Sequence, residues 1–388
     1  MNQLEQRIAE KIQKEGPITF EKFMELALYS PDMGYYSSHE RLIGRAGDFF
    51  TSPHQHPIFG AMMAKQLIEM WEIMGRPSEF RAVEVGAGAG YLSKDIFDYL
   101  SRPCGDPELG DKKKGFLGSL KYSIIEPFFH FRKKQRDILK GHTEARKISW
   151  ASSLREAGEI RGCIFSNELL DAFPVHVIEM EDDIEIGPKE IAVGFDGNEF
   201  IEEKIDASDE ITDYIKRFDI DLLPGYRTEI NLRIRDWLNE AAAALAEGFI
   251  LTIDYGYTSR EYYSEERSKG TLLCYHKHQF NENFFQNIGK QDMTAHVNYS
   301  SLKLWGEEMG LRTLGYCPQG TFLAASGIDE IITELYAGSQ DYLSEVSKIK
   351  TLILPQGMGE THSFMVQYKG NGSPRLRGFS MRNQMENL

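Results

Sequence analysis

The chain has 388 residues and a formal net charge of −15, from 59 acidic and 44 basic side chains. An acidic surface repels phosphate backbones, which argues against nucleic-acid binding; it would suit a basic partner, although solubility alone explains such a charge equally well. Cys104, Cys163, Cys274 and Cys317 form no C-x-x-C pair and match no disulfide or metal framework, and no run approaches the roughly 18 apolar residues that a membrane span needs.

Residues 1–30 carry apolar side chains at helical spacing, at Leu4, Ile8 and Ile12 and then at Phe20, Phe23, Met24 and Leu26. Gly16 and Pro17 divide them into two helices. The first carries Glu5, Glu10 and Glu15 and no apolar signal region, which argues against a targeting peptide. With reduced thiols, the expectation is a cytoplasmic protein. Residues 31–57 lack a period and read as a structured loop. A helix over 58–74 follows, with Pro57 at its start. A strand over 80–85 ends in glycines, and a helix over 91–100 comes next. The segment 101–120, rich in Gly, Pro and Lys, reads as a loop or surface insertion.

Further strands are expected over 121–125, 147–150, 163–166 and 249–253, with helices over 128–139 and 234–246, and Ala172 is expected to start another element. Strands alternating with helices imply an α/β fold with a mostly parallel, doubly wound sheet. The region 175–232 breaks the rhythm; its alternating acidic stretches, as over 184–195, suggest inserted antiparallel strands. Residues 258–300 are a second excursion. The tail over 370–388 contains Arg375, Arg377 and Arg382 with few apolar residues, and is expected to be disordered.

The most informative segment is Val83-Glu84-Val85-Gly86-Ala87-Gly88-Ala89-Gly90, between a strand and a helix. Glycines there let the backbone turn tightly and approach a nucleotide. A dinucleotide fingerprint has its third glycine three positions after the second. That position is Tyr91, which would obstruct close helix–strand packing and argues against a dehydrogenase. The G-x-G-x-G form, with Glu84 two residues before its first glycine, looks instead like the pattern of S-adenosylmethionine enzymes. Gly86, Gly88 and Gly90 would form the turn, and Glu84 would orient the ligand's ammonium group. Glu126, at the end of the second strand, could accept both ribose hydroxyls.

The segment Phe165-Ser166-Asn167-Glu168-Leu169-Leu170-Asp171-Ala172-Phe173-Pro174-Val175 overlaps the end of the fourth strand. Ligands of doubly wound sheets sit at the carboxyl ends of strands, so Asn167 and Glu168 would lie beside a methyl donor. If the segment turns helical, Asp171 shares a face with Glu168. A guanidinium or amine acceptor needs groups that orient it and take a proton, and Asn167, Glu168 and Asp171 are the candidate catalytic residues. Capping a helix and holding the loop is the structural alternative.

Several ordered motifs carry a wider resemblance. They are Tyr29-Ser30-Pro31-Asp32-Met33-Gly34-Tyr35-Tyr36, Gly47-Asp48-Phe49-Phe50-Thr51-Ser52-Pro53, the glycine loop, the 167–175 segment, Ile253-Asp254-Tyr255-Gly256-Tyr257 and Asp292-Met293-Thr294-Ala295-His296-Val297. Together, over about residues 18–369, the chain resembles the MidA-like methyltransferases, relatives of the mitochondrial complex I assembly-factor arginine methyltransferase. The resemblance implies a class I methyltransferase sheet with an N-terminal helical cap and inserted strands. It implies a cap and cofactor-closing loop over 1–75 and a methyltransferase domain over 76–369, with insertions at about 175–232 and 258–300. It also implies S-adenosylmethionine as cofactor, Thr51 and Ser52 as closing residues, and Asp254, Asp292 and His296 on the acceptor side. His54-Gln55-His56-Pro57 departs from the family, which commonly has Glu, an apolar residue and Ser after Ser52-Pro53. Two histidines at this spacing have no third metal ligand nearby, and no metal is expected.

The leading expectation is methylation of a protein side chain, an arginine, with a homodimer as one option for assembly. A small-molecule methyltransferase, with residues 255–275 lining its pocket, and a cofactor-binding assembly factor without turnover are the alternatives.

Overall fold

The structure is a computed structural model and describes residues 1–38, 52–143, 148–183, 186–277 and 279–388. Its central sheet is built from β1 (Phe80–Val85), β2 (Leu120–Ile125), β3 (Ile148–Ala151), β4 (Ile160–Asn167), β5 (Leu245–Tyr257), β6 (Arg312–Pro318) and β7 (His362–Lys369). The spatial order is β6-β7-β5-β4-β1-β2-β3. β1 pairs in parallel with β2 and β4, β2 with β3, and β4 with β5, whereas β7 runs antiparallel to both β5 and β6. The chain builds outward from β1 through β2 and β3, then returns to place β4 on the other side. This reversal opens a crevice beyond the carboxyl ends of β1 and β4, the place where such sheets hold ligands.

The strands read as near-continuous apolar runs because both faces of the sheet are covered. Alternate residues go to opposite layers. Phe80 and Ala82 of β1, with Phe249 and Leu251 of β5, pack with Phe59, Trp71, Phe97 and Phe322. Val83 and Val85, with Ile250, pack with Trp237, Leu238, Tyr299 and Leu302 of the helices Arg233–Ala244 and Tyr299–Glu308.

A third core sits under the N-terminal helices Gln3–Glu15 and Phe20–Tyr29. Leu4, Ile8, Phe20 and Phe23 pack there with Val177, Ile191 and Val193. The strands Ile18–Thr19, His176–Met180, Pro188–Phe195, Phe200–Asp206 and Arg227–Ile230 form one antiparallel sheet, with Ile18 opposite Val193. The N-terminus is thus joined to the insertion. Residues 258–300 contribute an antiparallel ribbon of Leu273–His276, Gln279–Asn281 and Asp292–Thr294.

Three expectations are corrected. The 101–120 segment contains the helix Pro107–Ser119, whose N-terminus is capped by Asp106 accepting from the Glu108 N–H at 2.9 Å. Asp106 followed by Pro107 is a start signal in the sequence, obscured by Gly110, Gly115 and Gly118. Gly115 is where Trp71 packs: a Cβ there would lie 3.1 Å from the indole. Ala172 lies in a turn, and the next strand begins at His176. The 370–388 tail is ordered: Leu376 and Phe379 are buried, Phe379 meets Phe322 edge to face at 5.2 Å, and the Gln384 N–H donates to the Tyr316 carbonyl at 2.7 Å. Few apolar residues suffice because Leu376 and Phe379 are buried in the first core, while Met381 stays exposed. Among the described residues, no helix is long and apolar enough to cross a membrane.

Candidate active site

A cavity of about 520 Å³ opens at the carboxyl ends of β1, β2 and β4, lined by Glu84, Gly86, Gly88, Glu126, Asn167, Glu168 and Leu169 among others. That volume suits a ligand of drug size. Gly86, Gly88 and Gly90 all have positive φ, at +73°, +51° and +89°. At Gly86 the need is also steric, since a Cβ would come 2.8 Å from Leu169 Cδ1. Gly90 heads the helix Tyr91–Ser101, with its N–H on the Ala87 carbonyl at 2.8 Å.

Glu84 is 3% exposed and lines the cavity. Its Oε2 accepts from the Tyr122 hydroxyl at 2.6 Å and from the Ser93 hydroxyl. Burial pushes its carboxyl upward against those two hydrogen bonds. Glu126 accepts from the Phe128 N–H at 3.0 Å through Oε1 and from Gln135 Nε2 at 3.1 Å through Oε2. Burial raises its carboxyl to about 7.

Gln135, missed by the sequence reading, ties these parts together. It is fully buried, donates also to the Gly88 carbonyl at 2.8 Å, and accepts from Trp150 Nε1 at 2.9 Å. One side chain therefore links the glycine loop, the end of β2 and β3. Gln135→Ala should leave these partners unsatisfied at about 1–3 kcal/mol and weaken cofactor binding with it. Thermal melting and calorimetry check this, and an unchanged affinity would show that the link is dispensable.

Past β4 the chain turns sharply. Glu168 has φ +50°, and its N–H donates to the Ile253 carbonyl at 2.8 Å. A left-handed conformation costs a non-glycine residue about 1–3 kcal/mol and persists only where neighbours impose it. Asp254, at 0% exposure, imposes this one: its Oδ2 accepts from the Leu169 and Leu170 N–H groups at 3.1 and 2.9 Å, and its Oδ1 from the Tyr255 N–H at 3.0 Å. Glu168 Oε1 receives the Ser52 N–H and Asn167 Nδ2, each at 3.2 Å. Asn167 Oδ1 is buried without a hydrogen-bond partner among the described residues.

Asp171 lies behind Glu168. Its Oδ2 accepts the Tyr255 hydroxyl, and its Oδ1 is buried without a partner among the described residues. Burial, then the nearby Glu168 charge, raises its carboxyl to about 7. Asp254 is pushed well above the usual range by burial and by Asp171 and Glu168. Among the described residues no lysine or arginine pairs with Glu168, Asp171 or Asp254.

The other expected residues spread out. Asp292 accepts the Tyr36 hydroxyl at 2.9 Å; Tyr36 stacks on Tyr29 at 5.5 Å, and the Tyr29 hydroxyl donates to the Ala172 carbonyl at 2.8 Å. Asp292 thereby latches the N-terminal cap onto the acidic loop. His296 packs against Tyr255 and Tyr257, and burial pulls its imidazole down to about 4. Ser52 is fully buried, with Oγ on Gln319 Oε1 at 3.1 Å, whereas Thr51 lies outside the described residues. His56 accepts the Ile58 N–H on Nδ1 at 3.0 Å and meets Glu345 through Nε2 at 2.8 Å, a helix-start role that occupies both nitrogens.

A seven-strand path with an antiparallel β7, a glycine turn after β1 and a carboxylate at the end of β2 define an S-adenosylmethionine-dependent methyltransferase architecture. The comparisons with known proteins agree. A family model described as S-adenosyl-L-methionine-dependent methyltransferase matches residues 62–317, and the chain belongs to that family. Curated relatives include the protein arginine methyltransferase NDUFAF7 homolog of Drosophila melanogaster, 25% identical over 95% of this chain and 85% of the relative. The Danio rerio NDUFAF7 is 26% identical over 92% and 85%. A Burkholderia thailandensis protein described as a likely methyl transferase, crystallised with S-adenosyl-homocysteine, superposes with a TM-score of 0.88 and 29% identity over 99% of this chain and 96% of that one.

The curated relatives are named as mitochondrial proteins, which overturns the cytoplasmic expectation. That expectation leaned on Glu5, Glu10 and Glu15. The structure shows why they mislead: Leu4, Ile8 and Ile12 of the same helix are buried in the third core. The segment is part of the fold, so its acidic face reports on solvation and says nothing about targeting.

Proposed function

We propose that this methyltransferase acts on an arginine side chain of a protein. The observation that carries this is Glu168 lining the cofactor cavity with the buried Asp171 and Asp254 behind it, and no lysine or arginine paired to the three among the described residues. Buried carboxylates without counter-charges are costly, and a bound guanidinium would relieve that cost with up to five N–H donors. The names of the curated relatives support the same reading.

S-adenosylmethionine, when bound, supplies the methyl group as an electrophile. The cavity fits it, with Glu126 placed for the ribose, Glu84 for the ammonium group and Asn167 Oδ1 as a buried acceptor without a partner among the described residues. Gly86, Gly88 and Gly90 let the backbone come close. Glu168 orients the acceptor and receives its proton, with Asp171 raising the negative potential behind it. Asp254 holds the turn that carries Glu168, and Asp292 holds the cap; neither needs to touch the acceptor.

The test is transfer of labelled methyl groups to arginine peptides and to the same peptides with lysine, read by mass spectrometry. Label on arginine is the expected result. Label confined to small molecules in a lysate would overturn the proposal.

A further inference from the structure

β7 runs antiparallel to its neighbours, so its first residue arrives at the edge of the sheet where β4 and β5 end. That residue is His362, opposite Tyr255 in the β5 register. It is 7% exposed, and its Nε2 is buried without a hydrogen-bond partner among the described residues. The same Nε2 lies 3.5 Å from Glu168 Oε1, within ion-pair range but too long for a good hydrogen bond. Its Nδ1 is engaged by Thr361 Oγ1 at 3.0 Å. The ring packs edge-on against Tyr255 at 5.4 Å. Among the described residues, the titratable groups that face it are Glu168, Asp171, Tyr255 and His296. Two of the four are carboxylates, and none is a lysine or an arginine.

We propose that His362 is a positioning residue that holds Glu168 and shares with it the proton released by the acceptor. This rests on the arginine reading given above. The described hydrogen bonds to the Glu168 carboxylate, from Ser52 and Asn167, fall on Oε1, the oxygen that His362 also approaches. Among the described residues nothing donates to Oε2, the oxygen we assign to the acceptor. As the acceptor nitrogen is methylated, its N–H bond breaks and the electron pair stays on nitrogen. The proton passes to Glu168 Oε2, and rotation of the carboxyl about its last bond brings it to the lone pair of His362 Nε2, leaving a carboxylate–imidazolium pair. The donor's S–CH3 bond breaks as the N–CH3 bond forms, so the methylated guanidinium keeps its positive charge and the charge given up by the sulfonium reappears on the imidazole. Carboxylates beside the ring stabilise the cation that forms on it. His296, pushed toward neutrality by its burial, does not compete for that proton.

The experiment has two arms. In the first, kcat of the wild-type enzyme on an arginine peptide is followed with pH beside that of His362→Gln. The wild type should rise through the imidazole range. The variant should lose that limb and about 10- to 100-fold in kcat, with KM for the peptide unchanged. A variant that keeps the limb would overturn the proposal. In the second, the His362 ring is titrated by NMR in the S-adenosylhomocysteine-bound protein, in the wild type and in Glu168→Gln. The midpoint should move to lower pH once the carboxylate is gone. A midpoint that does not move would overturn the pairing, even if His362→Gln does not fold. If the wild type labels no arginine peptide, the arginine reading fails by itself and the NMR arm still decides the pairing.

Discussion

Glu168→Gln should lower kcat by roughly 100- to 10,000-fold, the range for removing a positioned proton acceptor, with little change in the dissociation constant for S-adenosylmethionine. The amide oxygen of glutamine can still accept the Ser52 N–H and pack beside Asn167, so the loop should survive. The charge is what disappears. Because Asp254 holds the backbone of this turn through the Leu169 and Leu170 N–H groups, the left-handed Glu168 position does not depend on its own side chain. Single-turnover kinetics on an arginine peptide, with calorimetry for the cofactor, separate the two effects. A variant retaining more than half of its activity would shift the proton-accepting role to Asp171. A variant that fails to bind cofactor would mean that Glu168 holds the cavity instead.

The second large effect concerns the cofactor itself. Glu126→Gln should weaken S-adenosylmethionine binding by about 2–3 kcal/mol, since hydrogen bonds to a charged acceptor contribute about 1.5–3 kcal/mol each and the amide retains part of them. That is roughly 30- to 150-fold in Kd. The wild-type protein should also show a pH dependence with two opposite signs. Burial raises the Glu126 carboxyl to about 7 from an ordinary 4.5. The folded state therefore binds that proton more tightly than the unfolded chain. From this group, stability of the ligand-free protein increases as pH falls through about 7 toward 4.5 and is lost as pH rises through 7. Asp95 and Asp171, also raised to about 7, act in the same direction. Ribose binding needs the anion, so affinity should decline over the upper part of the window in which stability increases. Melting temperature and Kd measured between about pH 8 and pH 6 should move apart in the wild type. The affinity part should flatten in Glu126→Gln; a variant with wild-type affinity at pH 8 would remove Glu126 from the ribose.

Much of the site was legible because it is local. The glycine loop joins β1 to the helix after it, and Glu126 ends the next strand. A strand, a turn and a helix leave their periods and their glycines within the single stretch from Phe80 to Ser101, so pattern reading reaches them. The alternation of elements pointed to a mostly parallel sheet, whereas the spatial order of its strands and the two strands Arg312–Pro318 and His362–Lys369 came only with the structure. Helix Pro107–Ser119 was missed because its three glycines outweighed a good Asp-Pro start signal. The tail was missed because composition counts apolar residues without knowing that Phe322 waits for Phe379.

Roles proved harder than positions. Asp254 was expected on the acceptor side and does lie at the right edge of the sheet. Its three accepted backbone N–H bonds, however, make it the anchor of the Glu168 turn. His296 and Asp292 are close to that edge as well, one against Tyr255 and the other on Tyr36. A sequence motif marks such residues without distinguishing what touches a ligand from what holds the part that does.

The sequence by itself determined the α/β class, the cofactor turn after β1 and the acidic end of β4, since all three are written in neighbouring residues. Only the tertiary structure decided which side chains complete them. Gln135 comes from a helix that carries no motif, and His362 enters from a strand nearly two hundred residues beyond Glu168. Ile18 pairs with Val193 in a sheet that neither segment announces. Such partners are brought together by the antiparallel return of β7 and by burial of three separate cores, and long-range packing of this kind leaves no period in the chain for a reader to find.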